Sequence, residues 1–150
     1  MIADGERIGW TRGTIVDGTP SRNSKVAFTD TEWIVDRFRQ IAIKCAPIID
    51  VEIYPEHLKT VQLGRYKAPN EDYGKHIDHD TSRRNLKYDR KLSLVAALSD
   101  GGGLEIDDIG LIRLNAGDVL AFNSITDHAA PAMDHDRYTA VAWIPGPPWR

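Results

Sequence analysis

The sequence predicts an α+β domain, mainly β, in which one N-terminal helix packs on an antiparallel sandwich, barrel or jelly roll. Two observations support this prediction. A single stretch near the N-terminus has apolar residues at helical spacing, and from residue 60 onward short β-like runs follow one another, separated by Gly, Asn and Asp. Many short, evenly spaced runs are typical of jelly rolls and related all-β architectures.

The helix is predicted over residues 30–45. Thr29 followed by Glu32 matches a capping box, and Pro47 is expected to end the segment. The apolar residues that recur at helical spacing, and are therefore expected to pack in the core, are Ile34, Val35, Phe38, Ile41, Ala42 and Cys45. The 28 residues at the N-terminus are rich in turn-forming types and suggest no regular element.

Eight strands are predicted after the helix. The runs are 60–66, 75–79, 92–98, 103–107, 110–114, 118–123, 128–133 and 137–144. The tail 145–150, "PGPPWR", is rich in proline, so the sheet is expected to end near Ile144. With 150 residues the chain is expected to form one domain, in which a support region over about 1–59 packs on a core over about 60–145.

Composition narrows the classes of function. The net charge of −3 argues against a broad surface for nucleic acid or an anionic membrane, and no apolar run reaches membrane-spanning length. The single Cys45 excludes an internal disulfide, and the first residues do not resemble an export signal. A cytoplasmic location is therefore expected.

The segment 72–80, "DYGKHIDHD", carries the chemistry. If it is a strand, His76 and Asp78 project from the same face while His79 projects from the other, and Asp80 lies where the strand ends. One imidazole and one carboxylate are an incomplete metal site. Among the remaining histidines, His128 is the best third ligand because it begins a predicted strand, whereas His57 and His135 lie in loops.

Two histidines and one aspartate form the arrangement that non-haem Fe(II) enzymes use, with three coordination positions left open. A thiolate zinc site is excluded because the chain has one cysteine. Arg137, nine positions after His128, is suited to bind a carboxylate with two hydrogen bonds. Trp143 shares a strand face with Arg137 and is a candidate pocket wall.

With these residues in view, the segment 60–144 resembles the iron(II)/2-oxoglutarate-dependent dioxygenases, in particular the prolyl 4-hydroxylase-like branch. The resemblance rests on the order and spacing of Tyr66, Tyr73, His76-x-Asp78, "RKLSLVAAL", "GGGLEI", "NAGDVLAFNS", His128 and "RYTAVAW". It implies a double-stranded β-helix, or jelly-roll, core. The glycines 101–103 are most simply read as a turn.

The resemblance also implies roles for individual residues. His76, Asp78 and His128 match the iron ligands, Arg137 matches the residue that pairs with the distal carboxylate of 2-oxoglutarate, and Tyr66 matches a tyrosine that hydrogen-bonds this co-substrate. The cofactors implied are Fe(II), 2-oxoglutarate and O₂, with ascorbate as an optional reductant. The implied reaction hydroxylates a C–H bond and releases succinate and CO₂.

Two positions depart from the family pattern. Where some relatives have a second tyrosine beside the co-substrate, this chain has Ala96 and Ala97, and Val141 stands where relatives can have threonine. The distal carboxylate is therefore expected to depend mainly on Arg137.

The resemblance favours a peptidyl side chain as substrate, proline first, with a free amino acid or another small molecule as the alternative. Nucleobase demethylation is disfavoured, because Trp143 occupies the position of the second arginine of repair-type relatives. Two other classes stay open: a non-catalytic jelly-roll module that binds a metal or ligand, and a cupin-type metalloenzyme, which would require further histidines and a glutamate.

The stretch 79–91 is basic, with Arg83, Arg84, Lys87, Arg90 and Lys91. Its simplest interpretation is a solvated charged loop. The functional alternative is a lid over the substrate entrance, which would favour an acidic partner.

Overall fold

The computed structural model describes residues 1–13, 22–80 and 87–149. These residues form two α-helices, one short 3₁₀ turn (Pro55–His57) and ten strands. The helices are α1 (Ile2–Ile8) and α2 (Glu32–Ile49). The strands are β1 (Thr11–Arg12), β2 (Lys25–Thr29), β3 (Val61–Tyr66), β4 (Tyr73–His76), β5 (Asp89–Ala97), β6 (Gly102–Ile106), β7 (Gly110–Leu114), β8 (Val119–Asn123), β9 (His128–Ala130) and β10 (Arg137–Gly146).

The strands form two antiparallel sheets. The larger sheet has the order β1-β2-β3-β10-β5-β8, and the smaller one has the order β4-β9-β6-β7. From β3 to β10 the chain passes repeatedly from one sheet to the other, with β6 and β7 as the one consecutive pair within a sheet, as in a jelly roll. The predicted fold class, a mainly β jelly roll with an N-terminal helix packed on it, is confirmed.

Helix α2 covers the outer face of the larger sheet. One face of the helix is buried, and Phe38 and Ala42 pack with Leu92, Ala140 and other apolar residues of β3, β5 and β10. Alternation along β5 and β10 then directs every second side chain into the space between the sheets. Since α2 has 18 residues and is amphipathic, it is a packing helix, and none of the described helices is long and apolar enough to cross a membrane.

Replacing Phe38 with alanine is expected to lower the free energy of unfolding by about 3–5 kcal/mol, because the ring is only 1% exposed and its removal leaves a cavity between α2 and the sheet. Urea denaturation would measure the change. The matched control is Ile48→Ala on the same helix, where the side chain is 84% exposed and a change within about 0.5 kcal/mol is expected. Equal losses for both variants would contradict the packing described here.

The predicted helix is present, but its first and last residues both differ from the prediction. The capping box is not formed: the N-cap is Thr31, whose side chain makes no capping hydrogen bond, while the Thr29 hydroxyl bonds to the Thr31 hydroxyl at 2.8 Å. Pro47 lies inside the last turn and does not end the helix. Proline removes only its own N–H donor, and the helix continues until Asp50 adopts a left-handed conformation at φ 58°.

Several strand predictions also need correction. The run predicted over 75–79 forms a strand only at Tyr73–His76, and β10 continues past Ile144 to Gly146. The register with β5 shifts between Ile144 and Pro145, so Pro145 lies at an irregularity of the ladder, where its missing N–H is tolerated. The N-terminal region, for which no regular element was predicted, contributes α1, β1 and β2.

Candidate metal centre

His76, Asp78 and His128 converge in the space between the sheets. All three side chains are buried, and their potential ligand atoms lie within 4.8 Å of one another. The His76 Nε2 is 3.4 Å from Asp78 Oδ1, and the His128 Nε2 is 3.5 Å from Asp78 Oδ2. The structure therefore brings together the three residues that the sequence analysis singled out as ligands.

The two sheet strands position the histidines. His76 ends β4, His128 begins β9, and the two residues are direct partners in the antiparallel pairing. Asp78 lies beyond the end of β4, so its place does not come from strand geometry as the sequence analysis assumed. Its backbone N–H instead donates to the carbonyl of Ser124 at 2.9 Å, which turns the carboxylate back toward the histidines.

Both imidazoles are oriented by backbone carbonyls. The Nδ1 atom of His76 lies 2.7 Å from the Gly74 carbonyl, and that of His128 lies 2.9 Å from the Thr126 carbonyl. A carbonyl can only accept, so each Nδ1 carries the proton and each Nε2 presents a lone pair to the other two residues. Second partners of this kind are typical of metal-binding histidines.

The electrostatics keep the carboxylate charged. Burial alone would raise the pKa of Asp78, but the adjacent His76 and His128 and a hydrogen bond from Ser93 outweigh burial and lower that pKa to about 2. Burial also lowers the pKa of His128, although the charge of Asp78 opposes this effect. The site thus offers an anionic oxygen donor beside two imidazole nitrogens, a ligand set that binds a cation.

The lowered pKa of His128 gives the metal-free protein a pH-dependent stability. In the unfolded chain a histidine takes up a proton near pH 6.5. The folded protein resists this protonation, so the free energy of unfolding is expected to fall as the pH decreases below about 6.5, by up to about 1.4 kcal/mol per pH unit. The lowered pKa of Asp78 adds a loss only between about pH 4 and 2, since its stabilisation is complete above the unfolded pKa of about 4.

Urea denaturation of the metal-free protein between about pH 5 and 8 measures the first effect. The His128→Gln variant, which lacks the titrating group, is expected to show a shallower slope over this range than the parent protein. His135→Gln is the matched control, because His135 is an exposed residue of a turn. Parallel curves for the parent and His128→Gln would contradict the prediction.

Arg137 lies on the wall of the same pocket and is only 2% exposed. Its Nη2 donates to the Pro131 carbonyl at 2.7 Å, and its guanidinium carbon lies 4.4 Å from the centre of the Tyr66 ring. The other terminal nitrogen, Nη1, is buried and has no hydrogen-bond partner. A buried donor without a partner is costly, so this position is suited to an anionic ligand.

One glycine of the 101–103 run makes room for this arginine. A Cβ atom added at Gly102 would lie 3.0 Å from the Arg137 Cδ, which is tighter than ordinary van der Waals contact. From its sequence this run was expected to be a turn. Gly101, with φ 81°, fits that interpretation, whereas Gly102 belongs to β6 and borders the pocket.

The remaining predicted pocket residues also lie around the site. Tyr66 and Trp143 line the pocket, and the Trp143 indole N–H is buried without a hydrogen-bond partner. Of the two alanines noted as departures, Ala97 lines the pocket, while Ala96 packs on the opposite face under α2. Val141 also lines the pocket, so the part of the pocket formed by Ala97 and Val141 is apolar, as expected.

Comparison with known proteins shows which solved structures have a similar fold. No family model matches the chain, and no curated protein matches its sequence. Among solved structures, the viral collagen prolyl hydroxylase of Paramecium bursaria Chlorella virus-1 aligns over 84% of this chain and 80% of its own, with 20% identity and a TM-score of 0.65. A Trichoplax adhaerens prolyl hydroxylase aligns over 95% and 73%, with 14% identity and a TM-score of 0.70. The chain has the prolyl-hydroxylase fold.

A third similar structure shows why the fold does not decide the chemistry. A predicted oxalate decarboxylase from Thermotoga maritima aligns over 96% of both chains, with 11% identity and a TM-score of 0.57. Proteins that share a fold can differ in reaction, so function has to be argued from the site itself.

The prolyl-hydroxylase fold brings several residues to the pocket that the sequence analysis missed. Arg22 is 6% exposed, lines the pocket and places its guanidinium 4.4 Å from the centre of the Tyr73 ring, which in turn stacks on His76 at 3.6 Å. Thr139 projects from the same face of β10 as Arg137. Alternation along β10 could have revealed Thr139, whereas nothing in the local sequence pattern marks Arg22.

The other titratable groups of the region lie outside the three-residue cluster. His79 lies 3.9 Å from Asp89 through its Nδ1, and His57 stacks on Tyr88 with ring centres 4.4 Å apart. Neither Asp80 nor His135 belongs to the cluster. The predicted basic lid over 79–91 includes residues 81–86, with Arg83 and Arg84, which lie outside the described residues, so the lid stays a prediction.

Proposed function

We propose that the protein is an Fe(II)- and 2-oxoglutarate-dependent dioxygenase that hydroxylates a C–H bond. One observation carries this proposal: a buried His-Asp-His cluster and a buried arginine with an unpartnered N–H face the same pocket. The first feature suits a divalent metal with open coordination positions, and the second suits a carboxylate.

The donor set fits iron. Two imidazole nitrogens and one carboxylate oxygen from His76, His128 and Asp78 would occupy one face of an octahedron. Iron bound there would supply the oxidising chemistry, with O₂ and 2-oxoglutarate as co-substrates. The protein contributes a neutral, correctly oriented Nε2 on each histidine, and it keeps Asp78 ionised in a buried environment.

Arg137 would hold the distal carboxylate of 2-oxoglutarate. Its Nη1 is the unpartnered donor, and Tyr66 stacks against the guanidinium and fixes its plane. Thr139, on the same strand face, adds a hydroxyl to a part of the pocket that Ala97 and Val141 make apolar. The viral hydroxylase with a similar fold was solved as a 2-oxoglutarate complex, which supports the same assignment.

The competing functions fit less well. A cupin-type site would add a glutamate to its histidines, and no glutamate of the described residues joins the cluster. A module that binds a metal without turnover would have no use for a buried arginine that lacks an anionic partner. Both alternatives predict that 2-oxoglutarate is not consumed.

We propose a peptidyl side chain, proline first, as the preferred substrate. The Trichoplax hydroxylase, which has the same fold, was solved with a peptide fragment of hypoxia inducible factor. In this chain the aromatic rings of Tyr73 and Trp143 border the pocket beside the metal ligands and would pack against a proline ring. A free amino acid is the alternative substrate within the same chemistry.

The chemistry is tested by incubating the full chain with Fe(II), 2-oxoglutarate and O₂ and measuring succinate. Succinate formation is expected with iron and not after chelation by EDTA. If the iron-loaded protein neither binds 2-oxoglutarate nor forms succinate, the proposed function is wrong.

The substrate is tested separately by mass spectrometry. Proline-containing peptides and the free amino acids are offered to the active enzyme, and the product that gains one oxygen atom identifies the class. Oxygen incorporation into free amino acids but not into peptides would exclude the peptidyl preference and leave the dioxygenase assignment in place.

A further inference from the structure

Two serines are buried beside the metal ligands without any part in the chemistry described above. Ser93 lies in the apolar part of strand β5, residues 92–97, and Ser124 directly follows β8; both side chains are fully inaccessible to solvent. The Ser93 hydroxyl lies 2.7 Å from Asp78 Oδ2 and 2.9 Å from the Ser124 hydroxyl. Burying two hydroxyls in a core is unfavourable unless each has a partner, so this chain of hydrogen bonds accounts for their presence.

Each serine hydroxyl has one hydrogen to donate, and this fixes the direction of the hydrogen bonds that join Ser124, Ser93 and Asp78. A carboxylate that binds a metal is deprotonated and can only accept, so Ser93 donates its hydrogen to Asp78 Oδ2, 2.7 Å away. Ser93 then has no hydrogen left for Ser124, and the Ser124 hydroxyl must donate to Ser93. A hydroxyl that accepts one hydrogen bond is polarised and donates a stronger one, which strengthens the contact with the carboxylate.

Ser124 also holds the backbone of the same ligand. Its carbonyl accepts hydrogen bonds from the N–H groups of Asp78 and His79, both at 2.9 Å, and its own N–H donates to the Lys91 carbonyl at 3.1 Å. Asp78 lies past the end of β4 and has no strand partner of its own. The backbone of this ligand is therefore held by Ser124 directly, and its side chain is held by Ser93, which in turn bonds to Ser124.

We propose that Ser93 and Ser124 form a positioning pair that directs Asp78 to bind the metal through Oδ1 alone. The inference rests on the metal site proposed above. Ser93 takes up one lone pair of Oδ2, which also lies 3.5 Å from the His128 Nε2, so Oδ1, 3.4 Å from the His76 Nε2, is the oxygen without this serine bond. Coordination through one oxygen leaves three positions of an octahedral ion open, whereas coordination through both oxygens would close one of them.

The experiment is a titration of the full chain with Co(II), a spectroscopically visible substitute for Fe(II), for the parent protein and the Ser93→Ala, Ser93→Thr and Ser124→Ala variants. Ser93→Ala is expected to weaken Co(II) binding by about 10- to 100-fold and to alter the visible absorption spectrum of the bound ion. Ser93→Thr keeps the hydroxyl and is expected to bind within a few-fold of the parent. Ser124→Ala, which removes only the outer hydroxyl, is expected to have a smaller effect than Ser93→Ala.

Thr29→Val is the matched control. It removes a buried, hydrogen-bonded hydroxyl in β2, outside the metal-site pocket, and should lower the free energy of unfolding without changing Co(II) affinity or the spectrum. A purely structural role for Ser93 would give the same pattern as this control. If Ser93→Ala does not fold, the Co(II) affinities of Ser93→Thr and Ser124→Ala are compared. The positioning role predicts weaker binding by Ser124→Ala than by Ser93→Thr, and equal binding would contradict it.

The outcomes separate the two proposals. If the parent protein binds Co(II) and consumes 2-oxoglutarate, but Ser93→Ala binds Co(II) as tightly and with the same spectrum, the positioning role is overturned and the proposed function stands. Failure of the parent protein itself to bind Co(II) would overturn the metal site, and the positioning role with it.

Discussion

The His128→Ala variant is expected to lose stoichiometric Fe(II) binding and all 2-oxoglutarate-dependent succinate formation. His128 supplies one of three ligands, and its Nε2 lies opposite Asp78 while its Nδ1 is held by the Thr126 carbonyl. With one nitrogen donor removed, the remaining His76 and Asp78 present only two protein ligands, too few to retain a labile divalent ion. Metal content after gel filtration and succinate release measure the two losses.

This result requires a control for folding, because His128 is buried and pairs with His76 across β4 and β9. The far-ultraviolet circular dichroism of His128→Ala should match that of the parent protein. His135→Ala, an exposed histidine outside the cluster, should keep both metal binding and turnover. Full succinate formation by His128→Ala would show that the cluster is not the metal centre.

The sequence was informative about the site because its residues are tied to regular spacing. His76 and His128 lie at the meeting ends of two strands, and Arg137, Val141 and Trp143 share one face of β10 because side chains alternate along a strand. An alternation of this kind can be recognised in the sequence because it does not depend on contacts with distant segments. For the same reason β7, an edge strand of the smaller sheet, was predicted at its observed position, Gly110–Leu114.

What the sequence missed depends on contacts between distant segments. The predicted strand through Asp78 ends at His76, because the Asp78 N–H pairs with Ser124, 46 positions away, and not with a neighbouring strand. Pro47 was expected to end a helix that tertiary packing carries on to Ile49. Arg22 reaches the pocket because its segment bridges to Tyr73, and no local pattern encodes that pairing.

The Arg137→Leu variant is expected to bind metal like the parent protein and to bind 2-oxoglutarate at least about 30-fold more weakly. Arg137 does not belong to the metal cluster, so the ligands stay in place, but the buried guanidinium that lies against Tyr66 is lost. Losing one partner of a buried charged pair commonly weakens binding by about 2–5 kcal/mol, of which about 1.4 kcal/mol corresponds to tenfold. Calorimetric titration of the metal-loaded protein with 2-oxoglutarate measures the change.

Two further variants separate charge from geometry in this prediction. Arg137→Lys keeps a positive charge but cannot donate from two fixed nitrogens at once, so it should bind 2-oxoglutarate more tightly than Arg137→Leu and more weakly than the parent. Arg113→Gln, which removes an exposed arginine from β7, should leave the affinity unchanged. Ala97 and Val141 have no side-chain donor, whereas Tyr66 and Thr139 line the same pocket and have hydroxyl groups. Unchanged 2-oxoglutarate affinity in Arg137→Leu would therefore mean that the co-substrate does not extend toward β10 at all, and the pocket would need another ligand.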